Sequence, residues 1–347
     1  MASLLADAFD APRLLVGARE AGAGSLIARF MSGRPADDTL LVLLESPADR
    51  YFEDRADQVQ ALAAGLSPED LRDIARKAVK QHRPDRVIVG ASVGFTIEKA
   101  LIEAARQAGV PVISIVDHYW NLWQRFAGDT PTDRWRYQPD AIAVPDPWCR
   151  DRLQELGCPV DTVVTFEHPL LWASLAPADP ALGPRVRERL GIAPDAVVVM
   201  FVSEYGFADS EGWQWDQAEE EDIYLAADEL VAQVRSMSVD AERPMHVMIR
   251  PHPAESHDWG AFAARHEAGL VLQGHNLDKP ELFAIADIAF GLNSMLLAEA
   301  GRAGVPSYSW FPDQSYQGLR LSRFASWVNE CQNVQACGAA IRSVLGR

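Results

Sequence analysis

Residues 86–118 read RVIVGASVGFTIEKALIEAARQAGVPVISIVDH, and this stretch decides the fold. RVIVG (86–90) reads as a buried strand, and Ile97–Ala108 repeats its apolar residues at helical spacing. Residues 110–116 are a second apolar run. Strand, helix and strand within about 30 residues form the unit that builds a parallel sheet. Both strands run into polar loops: Ala91-Ser92-Val93-Gly94-Phe95-Thr96 after the first, and Asp117-His118-Tyr119-Trp120-Asn121 after the second. Ligands of open parallel sheets bind at the carboxyl edge of the strands. Ser92, Asp117 and His118 are therefore candidate site residues.

The same alternation extends upstream. Residues 13–17 (RLLVG) read as a first strand, followed by a glycine-containing loop over 18–25 that carries Glu20, and by a helix from about Leu26. Leu40–Leu44 is a further apolar run. Ser67-Pro68-Glu69-Asp70 is a helix start, with a serine cap, proline in the first turn and carboxylates at the positive end, and that helix runs to about Gln81.

Downstream, Ala141–Val144 is a strand, a helix begins near Pro147, and residues 162–166 form a strand that ends in Glu167-His168-Pro169. Residues 173–184 turn Pro- and Ala-rich with little periodicity and read as a hinge. Strand–helix alternation then resumes: strands at Val197–Val202, 247–249, 270–272, 288–290 and 305–309, and helices at 218–237, 259–266, 280–286 and 295–303. The expected organisation is an α/β protein with a Rossmann-like domain over 1–172, a second over 185–317, the two facing a cleft, and a helical segment over 318–347 that crosses back to the first.

A chain of 347 residues with 48% hydrophobic content can bury two cores. Its 32 basic and 49 acidic residues leave a net charge of −17, which argues against nucleic acid or an anionic membrane as main partner. A small anionic ligand needs only one local basic pocket. The N-terminal residues lack a basic n-region and an apolar core, and no stretch approaches the roughly 20 apolar residues of a membrane span, so a cytoplasmic protein without integral membrane association is expected. Cys149, Cys158, Cys331 and Cys337 form no CxxC pair, which points to plain thiols and not to zinc or a disulfide scaffold.

The second half presents three polar stations at successive strand ends: Ser203-Glu204-Tyr205-Gly206, Arg250-Pro251-His252-Pro253, and Gly291-Leu292-Asn293-Ser294, the last opening a helix that carries Glu299. Arginine and histidine on a proline-stiffened turn suit a phosphate, and Ser294 at a helix N-terminus offers backbone N–H groups to a phosphate oxygen. Glu299, about one and a half turns on, is placed for a ribose hydroxyl pair. The alternatives are a stiff loop with a surface histidine, an ordinary helix cap at Asn293 or Ser294, and a surface glutamate.

Residues 293–306, NSMLLAEAGRAGVP, together with the Arg-Pro-His-Pro turn, resemble the nucleotide-binding half of GT-B glycosyltransferases. The similarity is to bacterial polysaccharide and sialic-acid-type enzymes with an HP motif and a downstream serine, and to capsule-type transferases of 3-deoxy-octulosonic acid. That resemblance implies donor phosphate at His252 and Ser294 and ribose at Glu299. More weakly, Gly90-Ala91-Ser92, Val116-Asp117-His118 and Thr165-Phe166-Glu167-His168-Pro169 resemble the strand-end loops of UDP-N-acetylglucosamine 2-epimerase, which shares the fold. Ser294-Met295-Leu296 stands where that enzyme has Ser-Gly-Gly, and Gly22-Ala23-Gly24 is followed by Ser25 where some nucleotide-sugar hydrolases have histidine.

Inverting glycosyl transfer needs a general base toward the acceptor hydroxyl. Asp117 is the first candidate, with His118 or Glu20 behind it; the alternative is an Asp–His pair that merely anchors its loop. Tyr119, Trp120, Trp123 and Phe126 have helical spacing and read as packing, with Trp120 or Trp123 also able to stack on a sugar. Ser92, Trp120, Glu167 and His168 are candidate sugar or acceptor contacts. No DxD is placed for a metal, and neither metal nor cofactor is expected. The leading expectation is a glycosyltransferase that moves a sugar, a CMP-linked acidic sugar being one candidate, to a surface-glycan acceptor. The alternatives are a UDP-amino-sugar 2-epimerase or nucleotide-sugar hydrolase using Asp117 and Glu167 as acid and base, and a non-catalytic nucleotide-sugar-binding protein.

Overall fold

The computed structural model of the protein describes residues 2–34, 39–52, 57–166, 179–204, 220–239, 241, 243–252, 255, 257–312 and 326–345. The chain divides into two compact units, Met1–Trp172 and Ala173–Arg347. In chain order the first holds α1 (Ala2–Phe9), β1 (Leu14–Ala18), α2 (Ala21–Phe30), β2 (Leu40–Leu44), β3 (Val59–Ala61), α3 (Pro68–His82), β4 (Arg86–Val89), α4 (Ile97–Ala108), β5 (Val112–Ile115), β6 (Ala141–Val144), α5 (Pro147–Glu155) and β7 (Thr162–Thr165). The strands form a seven-stranded parallel sheet in the order β3-β2-β1-β4-β5-β6-β7.

Helices cover both faces of this sheet, which is why its strands read as unbroken apolar runs. Leu14, Val16 and Ala18 of β1 pack toward Leu26 and Ile27 of α2, whereas Leu15 faces Leu71 and Ala75 of α3 and Leu101 of α4. The start of α3 closes a capping box, in which the Ser67 hydroxyl accepts from the Asp70 N–H at 3.2 Å and the Asp70 carboxylate accepts from the Ser67 N–H at 3.1 Å. Gly109, at φ 68°, ends α4 in the left-handed conformation that glycine adopts without strain.

The second unit holds α6 (Leu182–Leu190), β8 (Val197–Val202), α7 (Glu220–Ser238), β9 (Met245–Arg250), α8 (Trp259–Ala264), β10 (Val271–Gln273), α9 (Lys279–Ile285), β11 (Ile288–Gly291), α10 (Met295–Arg302), β12 (Ser307–Trp310), β13 (Val328–Cys331) and α11 (Val334–Leu345). Its six strands are also all parallel, in the order β10-β9-β8-β11-β12-β13. In both sheets the strand order reverses beside the first strand, between β1 and β4 and between β8 and β11. These two switch points open crevices at the carboxyl edge.

The structure differs from the sequence reading at several places. Helix α2 starts at Ala21, five residues before the expected Leu26, because its Ala-Gly-Ala-Gly turns let neighbours approach: a Cβ on Gly24 would stand 2.8 Å from Ala48 Cβ. Helix α6 begins inside the stretch read as a hinge. Its start is held by Asp179, which accepts from the Ala181 N–H at 2.9 Å and from Arg185 at 2.7 Å, and Pro184 is tolerated in the first turn. The final segment, expected over 318–347 to be helical and to cross back to the first domain, is described from residue 326: it first adds β13 to the second sheet beside β12 and then turns helical. The last helix, α11, buries Cys337, Ala340 and Ile341 in that unit's core with Leu230 and Val234 of α7. Cys149, Cys331 and Cys337 are buried and Cys158 is half-buried, all four as thiols. Among the described residues no helix is long and apolar enough to cross a membrane.

Candidate functional site

At the carboxyl edge of the first sheet, three loops and the head of α4 bring carboxylates together. Glu20 follows β1 and is the cap position of α2, Glu45 follows β2, Glu98 sits in the first turn of α4, and Asp117 follows β5. Two of these are spent on backbone. Glu98 accepts from the N–H groups of Arg19 at 3.1 Å and Ser92 at 2.7 Å and from the Thr96 hydroxyl at 3.1 Å. Glu45 accepts from the Ile97 N–H at 2.7 Å. They lock the β1 and β4 loops to the head of α4, and burial pushes the Glu98 carboxyl above its ordinary range.

The other two face a single guanidinium. Arg125, buried at 7% side-chain exposure, lies 3.3 Å from Asp117 Oδ1 and 3.7 Å from Glu20 Oε2. It also donates to the carbonyls of Trp120, at 3.0 Å, and of Ala91. Arg125 comes from a short 3₁₀ turn over Gln124–Phe126 that follows Asn121, a buried residue at φ 52°. Asparagine tolerates that left-handed conformation, so the loop can double back under the strand ends. The Glu20 carboxyl is raised above its ordinary range: partial loss of water raises it most, Arg125 pulls it down, and Asp117 and Glu98 raise it again. Asp117 is 11% exposed and Glu20 41%, so Glu20 is the more accessible carboxylate of the pair.

Trp120 does not take the sugar-stacking place considered for it. At 1% exposure it is core, tilted against Tyr119 with ring centroids 4.4 Å apart, and no face is open to a ligand. Trp123 is likewise buried. His118 stacks on Tyr119 at 4.4 Å beside the carboxylate pair. Ser92 is buried next to Glu98. Glu167 and His168 lie outside the described residues.

In the second unit Ser203, Glu204, Arg250, Asn293 and Ser294 meet at the β9–β8–β11 strand ends. Glu204, 4% exposed, accepts the Asn293 N–H. Its carboxyl is pushed up to about 8 by burial, which outweighs the N–H groups of Asn293 and Ser294 and is reinforced by Glu255. Glu204 thus takes backbone N–H groups of Asn293 and Ser294, just ahead of the first turn of α10. The Ser294 hydroxyl accepts from the Leu296 N–H at 3.4 Å, a loose helix cap. Gly291 permits the approach, because a Cβ there would stand 2.7 Å from the Val202 carbonyl oxygen.

Arg250 uses one terminal nitrogen, Nη1, on the carbonyls of Gly274 and Leu277, both at 3.0 Å, and of His275 at 3.3 Å, tying down the loop after β10. The half-buried His252 accepts the Glu255 N–H on its carbonyl at 3.2 Å; Pro253 is outside the described residues. Glu299 is gripped by Lys279 Nζ at 2.7 and 2.9 Å.

Several functional candidates were invisible in the sequence. Arg125 follows Asp117 by eight positions in an aromatic-rich loop with no spacing signal. Glu255 collects three side-chain donors, from Ser203, from Trp259 at 2.6 Å and from His257 at 3.0 Å, on a side chain 3% exposed. Only Glu98 carried a local cue, as an acid in the first turn of a helix. Among the described residues no three His, Cys, Asp or Glu side chains are set to hold a metal.

No protein-family model matches the sequence, and no curated protein matches it. Solved structures do. UDP-GlcNAc 2-epimerase from Methanocaldococcus jannaschii, in complex with UDP-GlcNAc and UDP, superposes with a TM-score of 0.61 at 11% identity, covering 96% of this chain and 93% of the other. The Neisseria meningitidis UDP-GlcNAc 2-epimerase bound to UDP-GlcNAc gives 0.58 at 12%, over 95% and 90%. The E. coli ADP-heptose lipopolysaccharide heptosyltransferase II gives 0.51 at 12%, over 96% and 98%. The chain has the GT-B fold. At these identities the likeness is one of architecture, and the GT-B chains it joins include both epimerases and a transferase.

Proposed function

We propose that this GT-B protein is an enzyme of nucleotide-sugar chemistry, a glycosyltransferase in which Glu20 is the general base. The observation that carries this reading is the carboxylate pair Glu20 and Asp117 facing Arg125 at the first switch point. A base works best with a pKa near the operating pH, and the surroundings of Glu20 raise its carboxyl in that direction. Glu20 takes the proton of the acceptor hydroxyl as its oxygen bonds to the anomeric carbon and the donor phosphate departs. Asp117, the residue favoured from sequence, moves to a supporting place against Arg125.

Donor binding is assigned to the second unit, with His252 and the Ser294 hydroxyl toward phosphate and Glu299 toward ribose. The GT-B neighbours solved with UDP-GlcNAc or UDP support a nucleotide-sugar ligand. The reaction is assigned no metal and no cofactor, so turnover should survive EDTA.

A second reading draws on the same pair, since two adjacent carboxylates can withdraw a proton from one sugar carbon and return it, as an epimerase requires. The test begins with a thermal-shift panel of CMP, CDP, UDP, GDP and their sugars, which ranks the donor base by stabilisation. The best ligand is then incubated without acceptor. Conversion of the donor alone selects the epimerase, conversion only with acceptor selects the transferase, and no stabilisation by any member overturns the nucleotide-sugar assignment.

A further inference from the structure

We propose that Arg125 is the positioning residue of the first unit's acid–base pair: its buried guanidinium joins the loops after β4 and β5 and fixes Asp117 and Glu20 on one cation. The inference rests on Glu20 being the reacting carboxylate. Three observations carry it. Arg125 is 7% exposed and bonds the backbone carbonyls of Ala91 and Trp120, so its place is set by both loops and not by the carboxylates alone. Asp117 Oδ1 stands 3.3 Å away and Glu20 Oε2 3.7 Å away, on the same nitrogen, Nη1. Finally, Gly22 in the first turn of α2 leaves room for the Asp117 carboxylate, because a Cβ at that position would overlap Oδ2.

Among the described residues, the charged and titratable groups near the pair come from the ends of β1, β2 and β5 and from the head of α4. Arg19 and Glu20 follow β1, Glu45 follows β2, Glu98 and Lys99 belong to α4, and Asp117 and His118 follow β5. Glu45 and Glu98 are committed to backbone N–H groups, and Lys99 donates to the Ala127 carbonyl at 2.8 Å. Among the described residues Arg125 is the cation with an ion-pair contact to both carboxylates, and Arg19 adds a weaker pull on Glu20. Asp117 takes the nearer contact, and Glu20, further out and more exposed, is left able to exchange its proton.

The test reads Glu20 in the protein alone, by NMR titration of side-chain carboxyl-¹³C glutamate with the signal assigned by Glu20→Gln. Wild type should show a midpoint above the ordinary glutamate range. Arg125→Gln should displace it upward by roughly 1 pH unit, and Arg125→Lys, which keeps the charge, should return most of that displacement. A Glu20 midpoint unmoved or lowered in Arg125→Gln overturns the proposal. If Arg125→Gln does not fold, Asp117→Asn decides: removing that negative charge should lower the Glu20 midpoint, and an unmoved midpoint overturns the proposal equally. No nucleotide sugar is needed for these titrations, so their outcome is separate from the ligand panel that tests the function.

Discussion

Gly22 and Asp117 occupy one space: a methyl group on Gly22 would overlap the Asp117 Oδ2 atom, although one residue lies in the first turn of α2 and the other follows β5. Position 22 is helical, so glycine is there for proximity and not for backbone freedom. Gly22→Ala should displace the short Asp117 side chain more readily than it displaces α2. The expected outcome is a fall in kcat/KM of about tenfold or more, since misplaced catalytic groups are costly, with Tm within a few degrees of wild type. Unchanged turnover in this variant, measured with the ligand chosen by the panel, would remove Asp117 from the site.

The protonation of Glu20 gives a signed pH dependence. A general base acts when deprotonated, so kcat/KM should climb with pH through the raised Glu20 pKa and level off above it. Glu20→Gln should lower kcat by roughly 10²–10⁴-fold and abolish that limb, while nucleotide affinity stays near wild type. A pH profile with the same limb in Glu20→Gln would assign the titration to another group.

Much of the sheet architecture was legible because both sheets are covered on two faces. VVVMFV at Val197–Val202 and AIAV at Ala141–Val144 are continuous apolar runs, and their observed bounds coincide with the reading. Helix α4 was equally plain, with apolar periodicity and a glycine stop. Strands β3 and β13 were missed because VQA and VNEC are short edge strands with exposed positions and no apolar run.

The candidate sites were legible only as strand ends. Asp117, Glu20, Ser203, Glu204 and Asn293 follow strands that sequence could locate. Which of them touch is fixed by the parallel strand order, and that order brings in Arg125 and Glu255 from loops without pattern. The contact of Glu204 with the Asn293 N–H, just ahead of Ser294, was equally hidden, because the two residues are 89 positions apart.

Glu204 should make the protein less stable as pH rises. Burial raises its folded pKa to about 8, above the ordinary glutamate value of 4.5, so between those values the native state holds a proton that the unfolded chain has released. Stability contributed by this group is full below about 4.5, declines as pH rises toward about 8, and is gone above it, with a limiting slope of about 1.4 kcal/mol per pH unit. Glu204→Gln keeps an acceptor for the Asn293 N–H and removes the titration. Urea unfolding at pH 5, 6.5 and 8 should therefore show a flatter profile for the variant and higher stability at pH 8. An identical slope in both proteins would place the proton elsewhere.

Glu255 offers the sharpest test of how the second switch point is held. One buried carboxylate serves the Ser203 hydroxyl, the Trp259 indole and the His257 ring, and so links the end of β8 to the loop after β9. Glu255→Ala leaves buried polar groups without that acceptor and opens a void among Tyr224, His257 and Trp259, whose rings pack within 4.7–5.5 Å of one another. The expected cost is on the order of 3 kcal/mol, read as a lower urea midpoint. Glu255→Gln retains one carbonyl oxygen but turns an amide toward donors that need an acceptor, so it should lie between wild type and alanine. Wild-type stability for both variants would show that the hydroxyl, indole and imidazole find other partners, and the link from β8 to the His252 loop would then lose its anchor.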